Sequence, residues 1–297
     1  MRQRTIGPRL GLFTRFGLFA TLFLGLGCDE TADEVAAPTE PVTIQPTEPV
    51  AIQFAAVVGD LPWRCGELYQ QLGVVPAAVQ PQDLRFFVHG FELVRADGTA
   101  STVLLDDVTG WQANQNALLD FEDGAGKCNF GTPDTRTEVT GKVAPGDYVG
   151  LRFSVGVSFA ENHKNAAVAA APLAQSPLSW NWQQGYIFLR FEGGTPAGRY
   201  EIHIGSTGCV GTTGNITSCA RPDRPLITLP AFDATSQTVI FDVKQLLADS
   251  DLTRNAGDSI GCASAASDPD CEGPFSQLGL DLATGAVVEG QDVFRAE

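Results

Sequence analysis

Methionine and histidine are scarce in this chain. Its 297 residues include one methionine, Met1, and three histidines, His89, His163 and His203. A mature protein that has lost its N-terminus therefore has no methionine ligand, and any imidazole site must draw on those three positions. No C-x-x-C pair occurs, which is a spacing typical of zinc sites, and no C-x-x-C-H occurs, so this chain does not itself carry a c-type haem.

Basic residues are few as well. The chain has 19 Lys and Arg against 35 Asp and Glu, a formal net charge of −16. Residues 1–27 hold four of the basic residues and none of the acidic ones, so their removal would leave a net charge of −20. A surface this acidic repels phosphate backbones, and we expect no nucleic-acid partner. The acidity suits cationic partners, including metal ions, or solubility alone.

The N-terminal apolar run is too short to cross a membrane. Phe16–Gly27 follows four arginines and falls below the roughly 20 residues that a spanning helix needs. A basic start, a short apolar stretch and small residues are typical of a secretory signal. Leu24–Cys28 resembles a lipoprotein box, although Gly25 stands where leucine is usual. We predict a signal peptide over 1–27 and acylation of Cys28. The exported protein would then lie in the periplasm or on the outer membrane, held by lipid only; the alternative is ordinary cleavage without a lipid.

The rest of the chain predicts one all-β domain. Residues 28–49 are acidic and proline-rich, and they contain most of an eight-residue repeat (PTEPVTIQ, PTEPVAIQ), which predicts an extended linker. From 50 to 297, runs of period two recur between turn signals without a sustained helical period. We predict a single antiparallel β-sandwich or barrel-like domain over 50–297, with long loops tied by disulfides.

Six cysteines remain once Cys28 is set aside for the lipid. In an exported chain they predict disulfides, but their spacing alone does not choose the connectivity. Two short loops could close locally, and a third bridge would then join distant segments; the pairs would be Cys209 with Cys219, Cys262 with Cys271, and Cys65 with Cys128. Zinc binding is the alternative, and it is disfavoured because no histidine neighbours these pairs at ligand spacing. With the cysteines needed for bridges, nucleophilic catalysis has little support.

Two tryptophans and three histidines are the candidate functional residues. Trp180 and Trp182 are two residues apart, so they would share a face in a strand. Paired indoles can stack on sugars or pack in a core, and an indole near a metal or an oxidant can be modified.

The three histidines occupy different kinds of segment. His89 lies in a strand beside Gly90, which could bend that strand; His163 lies in a polar loop; and His203 falls on the Glu201 face of its strand. Three imidazoles could converge on a metal, or each could be an ordinary surface or hydrogen-bonded side chain.

One set of residues resembles a known family. The pattern comprises F-x-x-NH at 159–163, APL at 171–173, W-x-W-Q-x-GY-x-FLR at 180–190, H-x-GSTGC at 203–209 and C-x-x-P-x-RP at 219–225. It is similar to that of the MbnP-like family, exported proteins of the metallo-mystery pair system with a four-Cys motif. The likeness extends upstream and downstream over nearly all of 50–297.

The resemblance implies a copper protein rather than an enzyme. An MbnH-type di-haem protein of the cytochrome c peroxidase family would be the partner that oxidises a tryptophan to kynurenine, and the product would bind copper, as Cu(I), through histidine nitrogens and the kynurenine amine. On this basis His163 and His203 are the favoured ligands with His89 third, and Trp182 is the favoured modified residue ahead of Trp180. This chain has Leu178-Ser179 where family members often carry methionine and an aromatic residue.

Two other functions remain open from the sequence. The first is a surface lipoprotein that binds glycans through paired tryptophans. The second is an exported metal-dependent oxidative enzyme that uses the histidines. An acid or base converging on the histidines would favour the enzyme, whereas an exposed aromatic strip without nearby histidines would favour the glycan binder.

Overall fold

The computed structural model describes residues 47–297, except 129–130, 175, 213 and 258–259. The predicted signal peptide, Cys28 and most of the linker lie outside the described residues. Strand β1 begins at Glu48, so the end of the second proline-rich repeat is already part of the folded domain. Short strands dominate the described chain, as the period-two runs predict.

The described residues form twenty strands and three short helices. The strands are β1 (Glu48–Val58), β2 (Leu61–Pro62), β3 (Tyr69–Leu72), β4 (Ala77–Val94), β5 (Ala100–Thr102), β6 (Leu104–Leu105), β7 (Gln112–Ala113), β8 (Asn116–Asp120), β9 (Glu138–Val143), β10 (Gly150–Val155), β11 (Ser179–Asn181), β12 (Gly185–Tyr186), β13 (Leu189–Thr195), β14 (Gly198–Ile204), β15 (Thr207–Thr212), β16 (Asn215–Arg221), β17 (Leu226–Leu229), β18 (Thr238–Asp242), β19 (Gly261–Cys262) and β20 (Phe294–Ala296). The helices are α1 (Phe159–Asn162), α2 (Val243–Leu246) and α3 (Glu272–Gln277), with 3₁₀ turns at Ser176–Leu178 and Pro269–Cys271.

Two large sheets form the body of the domain. A six-stranded sheet has the order β20-β18-β1-β9-β6, with β2 beside β1. A ten-stranded sheet has the order β17-β10-β4-β13-β14-β19; β3, β5 and β8 also pair with the long strand β4, and β7 pairs with β8. Two further two-stranded sheets are β11-β12 and β15-β16. The sheets do not close into a barrel, so the sandwich form of the prediction is the correct one.

The pairing departs from a purely antiparallel arrangement at two places. Strand β1 runs parallel to β18, and β14 runs parallel to β19. In both pairs the partners are distant in the chain, so the connections between them can cross from one end of the sheet to the other, as parallel pairing requires. The remaining strand pairs are antiparallel.

Aromatic side chains fill the space between the two large sheets. Phe86 of β4 stacks on Phe241 of β18 with ring centroids 5.0 Å apart, and Phe54 of β1 meets Phe153 of β10 edge to face at 5.6 Å. Phe294, near the C-terminus, packs edge to face against three of these rings. Edge-to-face and offset pairs stabilise a core beyond the area they bury. The last strand is therefore an integral part of the sandwich.

The ten-stranded sheet buries its outer face as well. Side chains alternate along a strand, so Phe86 and Val88 point into the sandwich while Phe87 points outward. Phe87 joins a second apolar cluster whose other members are Leu118, Val157, Leu173, Leu178, Tyr186 and Phe188. Most of this cluster comes from residues 157–188, the segment that covers the outer face and that we call the cover segment.

Three disulfides join the six cysteines of the described residues in the predicted pairs Cys65–Cys128, Cys209–Cys219 and Cys262–Cys271. Cys209–Cys219 links directly opposite positions of the β15-β16 hairpin. Cys65–Cys128 closes a sequence separation of 63 residues, which makes it the bridge that restricts the unfolded chain most.

We predict that Phe294→Ala lowers the free energy of unfolding by about 3–5 kcal/mol, because it leaves a cavity among three aromatic rings. Val168→Ala is the matched control, since Val168 is 80% exposed and its truncation should change stability by less than about 0.5 kcal/mol. Urea unfolding with the disulfides intact measures both. Equal effects of the two variants would show that the C-terminal strand is not part of the cooperative core.

Candidate functional site

The cover segment is held in place by backbone and side-chain hydrogen bonds. The Asn162 side chain accepts from the Tyr186 N–H (2.9 Å) and donates to the Gln184 carbonyl (3.3 Å). The Tyr186 hydroxyl donates to the Leu173 carbonyl at 2.6 Å. Gly185 has φ +84°, and a Cβ there would lie 2.4 Å from the Asn162 carbonyl, so only glycine fits this close approach. These contacts explain why Asn162, Gly185 and Tyr186 occur together in the family-like pattern.

His163 ends helix α1 and is buried. Its Nε2 lies 3.4 Å from the Sγ of Cys219 and 3.1 Å from Asn162 Nδ2, and its ring meets Phe159 edge to face at 5.4 Å. Asn162 Nδ2 can only donate, so Nε2 accepts from it and the proton of the neutral ring lies on Nδ1, which is buried without a well-formed hydrogen bond among the described residues. Burial lowers the pKa of His163, the charge of Arg224 adds to the shift, and weak hydrogen bonds with the backbone of Trp182 and Gln183 oppose it. The imidazole is therefore neutral at pH 7, the form that binds metals.

A cavity of about 430 Å³ opens beside this imidazole. Its lining includes His163, Asn162, Tyr186 and Trp182. The Trp182 side chain is 46% exposed. The structure thus brings one predicted ligand and the favoured tryptophan to a single cavity.

The two tryptophans do not share a face. Strand β11 ends at Asn181, whose side-chain oxygen accepts from the N–H groups of Gln183 and Gln184 and so turns the chain. Trp180 lies against Gly205, where a Cβ would come 2.7 Å from the indole ring, and it lines a separate hollow with Ala263. The prediction that both indoles lie on one face of a strand is wrong, because β11 ends at Asn181, one residue before Trp182.

His203 lies in a network of ion pairs on the outward face of β13 and β14. Its Nε2 is 3.0 Å from Glu192 Oε1, and its Nδ1 is 3.5 Å from Glu201 Oε2, which agrees with the predicted Glu201 face. Glu192 also pairs with Arg190 (2.6 Å) and Arg199 (2.5 Å). Burial alone would raise the pKa of Glu192, but the hydrogen bond with His203 and the charge of Arg190 lower it to about 2.

The network continues onto β4 and β8. Arg190 pairs with Asp83 at 2.9 Å, and Asp83 holds Arg85 through two hydrogen bonds. Asp120 of β8 lies opposite Arg85 in the strand register, and burial raises the pKa of Asp120 to about 7. The sequence analysis does not predict this network. The charged residues at the outward positions of β4 and β13 could have indicated it, because buried charges need partners on neighbouring strands.

His89 also points outward from β4, next to a bend. Gly90 has φ +68°, and the pairing with β10 shifts register opposite this stretch, as the predicted bend requires. His89 Nδ1 lies 2.9 Å from the Gly156 carbonyl. Burial lowers the pKa of His89 to about 4, the charge of Arg224 acts in the same direction, and the bond to Gly156 opposes both.

Arg224 links the surroundings of two histidines. Its Nε donates to the Val157 carbonyl at 2.7 Å, and its guanidinium stacks 4.6 Å from the centroid of the Phe188 ring. Its charge lowers the pKa of both His89 and His163. Burial is the main cause that keeps both imidazoles neutral, and the charge of the half-buried Arg224 adds to it.

Groups with metal-ligand geometry exist, but each contains at most one histidine. Within the described residues, ligand atoms lie within 4.8 Å of one another in three groups: His163 with Cys209 and Cys219; Glu192 with Glu201 and His203; and Glu122 with Cys65 and Cys128. No histidine is close to the cysteine pairs in the sequence, but in the fold the cover segment brings His163 onto the β15-β16 hairpin. Convergence of His163, His203 and His89 on one ion stays a prediction.

We predict that pH changes the stability of this protein through His89. The folded-state pKa of about 4 lies below the ordinary 6.5, so between these values the unfolded chain binds a proton that the folded chain excludes. As pH falls from about 6.5 to about 4, the wild type should lose up to about 3 kcal/mol relative to His89→Gln. Urea unfolding of both proteins across this range measures the difference. A difference that is independent of pH would contradict the lowered pKa.

Comparisons with known proteins agree with the resemblance. The family model MbnP matches residues 47–264. Among solved structures, MbnP from Methylosinus trichosporium is 34% identical in sequence, with a TM-score of 0.76, and the match covers 84% of this chain and 98% of that one. A comparison with curated proteins gives no match. The family model spans well over half of the chain, and the chain therefore belongs to the MbnP family.

Proposed function

We propose that this is an exported copper-binding protein whose copper site is completed when an MbnH-type di-haem partner oxidises Trp182 to kynurenine. The single observation that carries the proposal is the cavity shared by His163 and Trp182. A buried, neutral imidazole lies there beside an exposed indole. The protein would act as the partner's substrate and not as an enzyme.

The donor set around the cavity suits copper. Imidazole is a good ligand for copper, and the described lining contains no carboxylate that would favour magnesium or calcium. The indole N–H of tryptophan can only donate a hydrogen bond, so the unmodified residue offers no nitrogen lone pair. Kynurenine carries an aniline nitrogen and a carbonyl in its place. His163 and the modified Trp182 would hold copper as Cu(I). The ion would be bound there and would take part in no reaction.

Exposure distinguishes the two tryptophans as targets. Trp182 is 46% exposed in a turn, whereas Trp180 is half-buried against Gly205. Phe159 (42% exposed) and Val168 (80% exposed) lie on the same cover segment. Such exposed apolar side chains suit a docking surface for the haem partner. With water as the oxygen source, the indole and three waters would give kynurenine and formic acid and release four protons and four electrons, which the di-haem partner would accept. The lost carbon leaves in the formic acid, so the net change in the residue replaces one carbon by one oxygen.

His203 has a different environment. Both of its ring nitrogens face carboxylates, and it lines neither the His163 cavity nor the Trp180 hollow. To bind copper it would have to leave Glu192, which two arginines also hold. We therefore place the copper site on His163 and keep His203 in the ion-pair network. His89, whose Nδ1 faces the Gly156 carbonyl, is likewise outside the cavity.

The first test is a mass measurement. Protein produced together with its haem partner should show the mass change of one carbon replaced by one oxygen on the peptide that contains residues 180–182. Trp182→Phe should abolish the change and Trp180→Phe should retain it, since only Trp182 lies in the cavity. The protein produced without the partner is the control. An unchanged mass with and without the partner would rule out the modification.

The second test separates the two histidines. In the modified protein, His163→Ala should lose copper binding, while His203→Gln should keep the copper stoichiometry and instead lower the free energy of unfolding, because it leaves Glu192 with one partner fewer. Metal analysis after dialysis and urea unfolding give the two readouts. Copper loss in His203→Gln at unchanged stability would move the site to His203.

Export and anchoring are part of the proposal. In the described part of the chain no helix is long and apolar enough to cross a membrane. An acylated Cys28 with the proline-rich linker would hold the domain at a membrane surface. Cys28→Ser should move the protein from the membrane fraction to the soluble periplasmic fraction, and fractionation with immunoblotting measures it. The same distribution for wild type and variant would show that no lipid is attached.

The alternatives receive less support from the geometry. A glycan platform needs both indoles on one strip, and they line different hollows. Glu192 does contact His203, but the hydrogen bond with His203 and the charge of Arg190 lower the pKa of Glu192 to about 2, which suits an ion pair better than proton transfer. The sequence GDSIG at 257–261 matches the pattern of a nucleophile elbow, which requires a helix after the serine. Strand β19 begins at Gly261 instead, and Ser259 lies outside the described residues.

A further inference from the structure

The Cys209–Cys219 disulfide faces His163 directly. Cys219 Sγ lies 3.4 Å from His163 Nε2, and the two sulfurs and one ring nitrogen all lie within 4.8 Å of one another. We propose that reduction of this bridge opens a second metal site, in which two thiolates and the His163 imidazole bind a thiophilic cation such as Cu(I). The site uses unmodified side chains, so it does not depend on oxidation of Trp182.

The bridge is open to attack by a reductant. It lies in the β15-β16 hairpin, a two-stranded sheet outside the sandwich, and Ser218 and Ala220 beside it are exposed. Cys219 is half-buried, as is Cys65 of the Cys65–Cys128 bridge, whereas Cys262 and Cys271 are both fully buried. A reductant reaches a sulfur only through solvent, so we expect the Cys209–Cys219 and Cys65–Cys128 bridges to open before Cys262–Cys271.

The chemistry balances with a dithiol as the reductant. One dithiol supplies two electrons and two protons, its own sulfurs form a disulfide, and the bridge becomes two thiols. Binding of one cation then releases these two protons, because only thiolates are ligands. Thiolate and imidazole donors together favour Cu(I) and Zn(II) over Mg(II) or Ca(II). The neutral imidazole of His163 needs no deprotonation.

His163 would therefore serve two alternative sites. In the oxidised hairpin it faces the Trp182 cavity, and in the reduced hairpin it would join the two sulfurs. The Gln183 side chain donates to the Cys209 carbonyl at 2.9 Å, which ties the hairpin to the turn that carries Trp182. Whether the Cys209–Cys219 bridge is oxidised or reduced would thus decide which other donors bind the same metal ion as His163.

The test uses the full mature protein made without the haem partner. The protein is reduced anaerobically with dithiothreitol, freed of it by gel filtration and titrated with Cu(I) against a chromophoric chelator. We expect one tightly bound equivalent in the reduced protein and none in the oxidised protein. Alkylation with mass mapping should show Cys209 and Cys219 modified before Cys262 and Cys271. Reduction without any gain in Cu(I) binding would overturn the proposal.

Two matched double variants identify the ligands. Cys209→Ser with Cys219→Ser should abolish the tight equivalent, and Cys65→Ser with Cys128→Ser, which removes as many thiols, should retain it. His163→Ala should weaken binding at least tenfold in the reduced protein. Circular dichroism confirms that each reduced variant keeps its strands. Equal Cu(I) binding by the two double variants would mean that unfolded thiols bind the metal, and the proposed site would be wrong.

Discussion

The constraint on which the rest of the structure depends is that the ten-stranded sheet buries both of its faces. Strand β4 packs Phe86 into the sandwich and Phe87 under the cover segment. The outer face of the sheet is therefore buried like the inner face, although it also carries polar side chains. Charges at those positions must pair with one another, which is why Glu192 lies among arginines and His203. The apolar half of the same face supports His163, the cavity and Trp182.

The sequence predicts the fold well because the fold rests on local patterns. Period two in β4, β13 and β14 gives the strands, and the short loops between cysteines permit the bridges that form. Local pattern also accounts for the bend at Gly90. It fails for Trp180 and Trp182, because Asn181 turns the chain between them. Alternation applies only while a strand lasts, and β11 lasts three residues.

The candidate site is less visible in the sequence because it forms through distant contacts. Nothing in the spacing of His163 and Cys219, 56 residues apart, indicates that they lie 3.4 Å from each other. Arg224 is another residue of this kind: its stacking on Phe188 and its effect on two histidines depend on the packing of the cover segment. The family resemblance marks all of these residues, but it implies a role for His163 alone. The contacts of Arg224 and the closeness of His163 to Cys219 follow only from the geometry.

The neutrality of His163 bears on which of its atoms can bind a ligand. Burial and the charge of Arg224 both disfavour protonation of the ring. Because the Asn162 amide nitrogen can only donate a hydrogen bond, the lone pair of the neutral ring lies on Nε2 and its proton lies on Nδ1. A cation that binds Nε2 would replace the hydrogen bond from Asn162 and would not compete with a second proton on the ring. The burial that excludes this second proton therefore leaves His163 in the form that binds metals.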